Sequence, residues 1–242
     1  MQIKRYNPSH LDEAAVRRLD GFSLLTSVGF AGLWTAAGGR PVYWTAEIND
    51  RVVAVLPGVE HGRGPLKRFQ ALPDGLYATI VFTDPGDERR PEIARDMLRA
   101  MADYGYMKLH ISDYFSYFTK IPEVELLMSR TTLVNIAGRD WTPPDRKIQS
   151  EIRKAEREGV AVEAFDVDRH FECFMALMRQ TEKRHRRRPK YSPEFFRALA
   201  ALAKNDDRVI WKYVAVGGEA AAAHIYFVVA DTVLNWQIYF NK

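Results

Sequence analysis

At 242 residues the chain has room for one large domain or two small ones, and 47% hydrophobic with 12% aromatic residues excludes a disordered or fibrous chain. Its longest apolar stretch, Ala220–Ala230, is interrupted by His224 and falls short of the roughly 20 residues a membrane-spanning helix needs. The formal net charge is +4, all of it between Asp145 and Tyr191, where thirteen Lys and Arg stand against nine Asp and Glu.

The amino terminus, Met1-Gln2-Ile3-Lys4-Arg5, lacks the apolar segment of a secretion signal, and the single cysteine, Cys173, can form no internal disulfide, so the expected compartment is the cytoplasm. In chain order, Ile3–Tyr6 reads as a strand and Ser9 as the cap of a helix reaching about Asp20. Thr26–Trp34 reads as a helix stopped at Gly38-Gly39. Three strands follow, Val42–Ile48, Arg51–Val59 and Leu66–Leu72, with Asn49-Asp50 as a hairpin turn and Gly62-Arg63-Gly64 as another. Tyr77–Phe82 is a further strand. The spacing of Ile93, Met97, Leu98 and Met101 predicts a helix over Asp87–Tyr104 ended by Gly105. Met107–Ile111 and Leu126–Ile136 return to strand character.

Trp141-Thr142-Pro143-Pro144 is the expected linker, because two prolines disfavour helix and central strand alike. The reading is therefore of two units, 1–140 and 145–242. In the second, Asp145 caps a helix over Lys147–Glu158 whose buried side is marked by Ile148, Ile152 and Ala155, and Gly159 ends it. Val160–Phe165 is a strand. A helix from Asp168 sets Phe171, Phe174, Met175 and Met178 on one face, with Cys173 beside them as an expected core residue. Ser192-Pro193-Glu194 opens another helix: a capping hydroxyl, a proline in the first turn and an acid at the positive end of the dipole. Three strands close the chain, Val209–Val216, Ala220–Val229 and Val233–Phe240, joined at Gly217-Gly218 and Asp231-Thr232.

Lys183–Lys190 concentrates six permanent positive charges in eight residues. Such a focus attracts polyanions, whether RNA, a phosphorylated cofactor or anionic head groups. Other chemistries lack their motifs. The six histidines show no paired metal-ligand spacing, and neither a G-x-S-x-G elbow nor a Walker sequence occurs.

The run Ile152-Arg153-Lys154-Ala155-Glu156-Arg157-Glu158-Gly159-Val160 resembles the I-R-K-A-E-x-x-G-V signature of FemAB-like proteins, which are tandem GNAT-fold acyltransferases. Thr181–Arg184, Tyr191–Phe196 and the closing three-strand meander are similar to that family as well, so the resemblance covers about Lys147–Lys242 in residues and the first 140 by layout. It implies an α/β (α+β) fold of two GNAT-like subdomains, each a mostly antiparallel mixed sheet flanked by helices, the second lacking its closing helix and strands. It also implies transfer of an acyl or aminoacyl group to an amine on a small molecule or a cell-envelope precursor. The donor would be acyl-coenzyme A or aminoacyl-tRNA, with no metal and with tRNA as a further partner. The glycine-rich pyrophosphate loop of ordinary GNAT enzymes is missing from both halves. By the family's layout, Arg184, Arg188, Tyr191, Gln237 and Tyr239 are the expected substrate-binding residues, and no catalytic residue is assigned. His224, the one histidine of its strand, is a conceivable base and more simply a structural residue. The alternative is a non-catalytic GNAT scaffold that binds RNA or an anionic surface through the basic helix-loop. Neither the oligomeric state nor the choice of donor and acceptor follows from the residues.

Overall fold

The computed structural model describes residues 1–19, 22–72, 76, 80–84, 86–112, 125, 132, 134–136 and 141–241. Strands β1 (Gln2–Tyr6), β2 (Arg40–Ile48), β3 (Arg51–His61), β4 (Arg68–Ala71), β5 (Val81–Phe82) and β6 (Lys108–Ile111) form one sheet. Its order is β1-β2-β3-β4-β6, with β5 also pairing β3. Strands β7 (Val160–Ala164), β8 (Val209–Val216), β9 (Glu219–Val229) and β10 (Thr232–Phe240) form a second sheet of order β10-β9-β8-β7. The helices are α1 (Glu13–Arg17), α2 (Val28–Ala36), α3 (Arg90–Asp103), α4 (Arg146–Arg157), α5 (Val167–Arg184) and α6 (Pro193–Asn205). The class is mixed α/β with two sheets flanked by helices, as the resemblance implied. By compactness the chain divides into two units. One comprises Met1–Val124, Lys190–Ile210 and Ile225–Gln237, and the other comprises Glu125–Pro189, Trp211–His224 and Ile238–Lys242.

In the first unit, β2 and β3 form the expected hairpin. Asn49 and Asp50 both adopt left-handed backbone (φ 49° and 58°), as a tight two-residue turn between right-twisted strands requires. Strand β4 pairs antiparallel with β3 but parallel with β6, because α3 carries the chain back over the sheet between them. Helix α2 buries Phe30, Ala31, Leu33 and Trp34 and leaves Gly29, Gly32 and Thr35 exposed. Phe30 meets Phe227 edge-on at 5.2 Å, and Trp34 meets Phe195 of α6 at 5.5 Å. Helix α3 buries Ile93, Ala94, Met97 and Met101 on the predicted stripe, and Gly105 (φ 86°) ends it.

This unit also holds two buried carboxylates. Glu60 is 2% exposed and accepts two hydrogen bonds of 2.8 Å from Arg5, plus one from the Tyr106 hydroxyl, which itself accepts from Trp44 Nε1. Burial works against the Glu60 charge, but Arg5, Tyr106 and Arg40 outweigh it and hold the pKa below the ordinary value. Glu47 is held likewise by Lys4, Tyr6 and Thr45.

In the second unit, Asp166 caps α5 by accepting from the amides of Asp168 and Arg169. Phe171, Phe174, Met175 and Met178 are buried as predicted. Phe165 stacks on Trp211 (4.0 Å, 7°), and Phe174 meets Tyr239 edge-on at 5.5 Å. Asp145 caps α4 and Gly159 (φ 72°) closes it.

Several local expectations are corrected. Asp12, not Ser9, caps the first helix, accepting from Ala15 N at 3.1 Å. Pro8–His10 form a separate 3-10 turn, and extended Leu11 breaks the run. Gly64–Leu66 likewise form a 3-10 turn ahead of β4. The last turn is made by Ala230 and Asp231, with Ala230 left-handed (φ 53°). Ile148 and Ile152 are exposed rather than buried, since seven of the twelve residues of α4 are charged and two isoleucines make too narrow a stripe to seat it. Cys173 is exposed as well, because it falls beside the Phe171–Phe174 stripe rather than on it. Most of the expected strand Leu126–Ile136, residues 77–79 of Tyr77–Phe82, and Asp20 lie outside the described residues.

Candidate functional site

A cavity of about 300 Å³ opens in the first unit. Helix α2 contributes Trp34 and is followed by Ala37, β3 ends in His61, and β4 supplies Arg68, Phe69 and Gln70. Strand β6 adds Lys108 and His110, and Lys190 and Tyr191, just ahead of α6, complete the lining. Glycines make this arrangement possible: a Cβ at Gly58 would collide with the Phe69 ring, and one at Gly39 would collide with Val59.

The parallel register pairs Arg68 with Lys108 and Gln70 with His110. Two cations side by side on neighbouring strands repel by about 0.2–1 kcal/mol, and an anion between them removes that cost. Trp34 (2% exposed) and Tyr191 (6% exposed) are buried, yet Trp34 Nε1 and the Tyr191 hydroxyl have no hydrogen-bond partner among the described residues. Tyr191 is held in place by stacking on Phe195 (4.2 Å, 17°), with Trp34 at 6.0 Å and Trp236 at 5.7 Å. An unpaired buried donor costs about 1–3 kcal/mol, so two around one cavity mark a place for an acceptor. Burial, then Arg68, Arg40 and Lys190, push the His61 pKa below the ordinary imidazole value, and burial lowers that of Lys190. Three cationic side chains, two imidazoles and two buried neutral donors suit a phosphate, sulfate or carboxylate group.

Of the five expected binding residues, Tyr191 lies in this cavity. Arg184, in the second unit, donates to the Phe240 carbonyl (2.8 Å) and to Thr181 Oγ1 (3.2 Å), with its guanidinium 4.3 Å from the Phe240 ring centroid. Its donors thus tie down the end of β10. Tyr239 is buried against Phe174, Gln237 is half-buried on β10, and Arg188 is exposed. His224 is half-buried, with its pKa lowered by burial. Trp34, His61, Arg68, Lys108 and His110 were not singled out from sequence as site residues, and Lys190 was only as part of the basic run Lys183–Lys190. The hint present there was two histidines, which the pairing of β4 with β3 on one side and β6 on the other brings to one cavity. Among the described residues no group of His, Cys, Asp or Glu could hold a metal ion, and no helix is long and apolar enough to cross a membrane.

Residues 145–242 match the family model described as an acetyltransferase (GNAT) domain. No curated protein matches the chain. Among solved structures, the crystal structure of FemX superposes with a TM-score of 0.52 at 14% identity, over 89% of this chain and 58% of that one. The chain therefore spans somewhat more than half the length of FemX, and the likeness is one of fold. The C-terminal DUF2156 domain of a putative lysylphosphatidylglycerol synthetase from Agrobacterium fabrum gives a TM-score of 0.46 at 11% identity, covering 96% of this chain and 70% of that domain. Over residues 145–242 the family match bears out the GNAT resemblance, and the superposition on FemX shows a likeness of fold.

Proposed function

With residues 145–242 carrying an acetyltransferase (GNAT) domain, we propose that this chain is an acyltransferase that moves an acyl or aminoacyl group from coenzyme A or tRNA to an amine and seats an anionic group of one substrate in the Trp34–Tyr191 cavity. In such a transfer the amine nitrogen attacks the donor carbonyl, a C–N bond forms, and the C–S or C–O bond to the donor breaks. The amine's proton goes to a base, and the departing sulfur or oxygen is protonated. Holding a distant charged group of a substrate fixes the reacting atoms in line, which lowers the barrier through orientation. The observation that carries this reading is the pair of buried, unpartnered donors in a cavity walled by Arg68, Lys108 and Lys190.

Cell-envelope precursors and charged tRNA are both rich in phosphate and fit the cavity's chemistry. In this reading residues 1–140 and 145–242 are the two GNAT-like subdomains, and Lys183, Arg186 and Arg188, all exposed, steer the polyanionic substrate at long range. Arg184, Gln237 and Tyr239 then shape the second subdomain around the reaction.

The test pairs an acyl-transfer assay, supplied in turn with acetyl-coenzyme A and charged tRNA, with calorimetric titration of pyrophosphate. Tyr191→Phe and Trp34→Phe should each weaken pyrophosphate binding by about tenfold, one charge-assisted hydrogen bond. Tyr191→Phe should leave thermal stability unchanged or slightly raised, since it removes an unpaired donor. Unchanged pyrophosphate affinity in both variants would remove the cavity from the reading. No product with either donor, beside generic RNA binding of steep salt dependence, would favour the non-catalytic scaffold.

A further inference from the structure

Beside the cavity wall, two short segments of the first unit are tied together. The Met107 amide donates to the Lys67 carbonyl at 2.8 Å. The Lys67 ammonium donates to the Tyr104 carbonyl at 3.2 Å and sits 3.7 Å from the Tyr104 ring centroid. This junction leaves three large apolar side chains in solvent: Leu66 is 63% exposed, Met107 58% and Tyr104 40%. Around them stand Arg63, Arg68 and Lys108, all exposed, and half-buried Lys67. No carboxylate occurs from His61 to Leu72 or from Tyr104 to Ser112. In sequence the acids that flank these stretches are Glu60, buried on Arg5, Asp103 at the end of α3, and Asp74 and Asp113 beyond their far ends.

We propose that this patch docks the protein on an anionic lipid surface, Leu66 and Met107 entering the interface while Arg63, Lys67, Arg68 and Lys108 meet the head groups. Aliphatic tips set among cations, with a tyrosine at their base, match the layered chemistry of a bilayer interface. Single-stranded RNA binds to exposed aromatic platforms, whereas the two most exposed side chains here, Leu66 and Met107, are aliphatic and the one aromatic, Tyr104, is capped by the Lys67 ammonium. Three side chains also fall well short of the roughly 800 Å² per partner of a stable protein interface. Because Arg68 and Lys108 line the cavity too, docking brings it to head-group level, where the polar end of a membrane-borne substrate lies.

The full chain should be sedimented with vesicles of phosphatidylcholine alone and with vesicles holding about one-third phosphatidylglycerol, with no acyl donor or acceptor present. Success or failure is then independent of the acyltransferase reading. Wild type should pellet with the anionic vesicles only. The double variant Leu66→Asp/Met107→Asp should lose at least about tenfold in affinity. Both positions are exposed, so its circular dichroism and thermal unfolding should match wild type. Lys183→Gln/Arg186→Gln/Arg188→Gln, which neutralises rather than reverses the basic run, should keep more of the binding to anionic vesicles than the Leu66→Asp/Met107→Asp variant. Failure of wild type to pellet, equal pelleting by the Leu66/Met107 variant, or loss only in the basic-run variant would each overturn the proposal. So would a wild-type dimer that the Leu66/Met107 variant abolishes, with vesicle binding unchanged.

Discussion

Tyr191 is expected from sequence to bind substrate. It packs on Phe195, with its hydroxyl left unpaired in a cavity with Trp34 Nε1. A tyrosine serving only as core could have been a phenylalanine at no cost, which is why the unpaired oxygen rather than the stacking carries functional weight. Glu60 shows the opposite case, a buried polar group fully served by Arg5 and Tyr106. Its carboxylate pKa is depressed in the folded protein, so its stabilising contribution is present above the unfolded carboxylate value of about 4.3 and is lost as pH falls through the lower folded value. Glu60→Gln leaves Arg5 without its counter-charge and should destabilise the protein by about 3 kcal/mol at pH 7 in urea unfolding, with the gap to wild type narrowing on acidification. A gap that does not change with pH would show that the charge is immaterial.

At the scale of elements, most of what local chemistry controls was legible. Helix α6 begins where Ser192-Pro193-Glu194 demands, with Ser192 Oγ accepting from Phe195 N, and α5 buries its phenylalanine and methionine face. Helix α4 also forms where capping and propensity put it, but its Ile148 and Ile152 face solvent, because periodicity marks a face without saying what lies against it. Cys173 misled for a related reason: adjacency to Phe174 in sequence is about 100° around a helix. Gly58 belongs to the part that sequence alone did not reveal. Its β-strand looks unremarkable until Phe69 of the neighbouring strand is seen across it. Gly58→Ala should cost about 1–3 kcal/mol in thermal unfolding, as the Phe69 ring and the strand backbone yield to the added methyl. A neutral effect would mean that β4 can shift freely.

For the whole molecule, net charge and its placement bear on binding rather than on fold. The sequence draws the eye to Lys183–Lys190, yet the folded chain joins the last residue of that run, Lys190, to Arg68 and Lys108 from far earlier in the chain to make the cavity's basic wall. His61 tunes that site. Its folded pKa lies below the ordinary imidazole value through burial and the nearby Arg68, Arg40 and Lys190, so it is neutral at pH 7.5 and gains a proton as pH falls. An anion bound beside it favours that proton. Sulfate, which does not titrate in this range, should therefore bind more tightly at pH 5.5 than at pH 7.5 by calorimetry, and His61→Ala should reduce the difference.

The residues by themselves determined the helices with capping signals, the hairpins at Asn49-Asp50 and Gly217-Gly218, the mixed α/β class and the FemAB-like GNAT resemblance. These rest on interactions between residues a few positions apart or on a contiguous signature. Which faces are covered, and the cavity itself, were decided only by tertiary structure. The cavity depends on β4 pairing parallel to β6 across α3, and on the chain returning at Lys190 and Tyr191 more than a hundred residues after His61. Contacts at that separation leave no periodic trace in a single sequence, because what places them is the closure of the sheet and the burial of Trp34, Phe69 and Phe195 in one core.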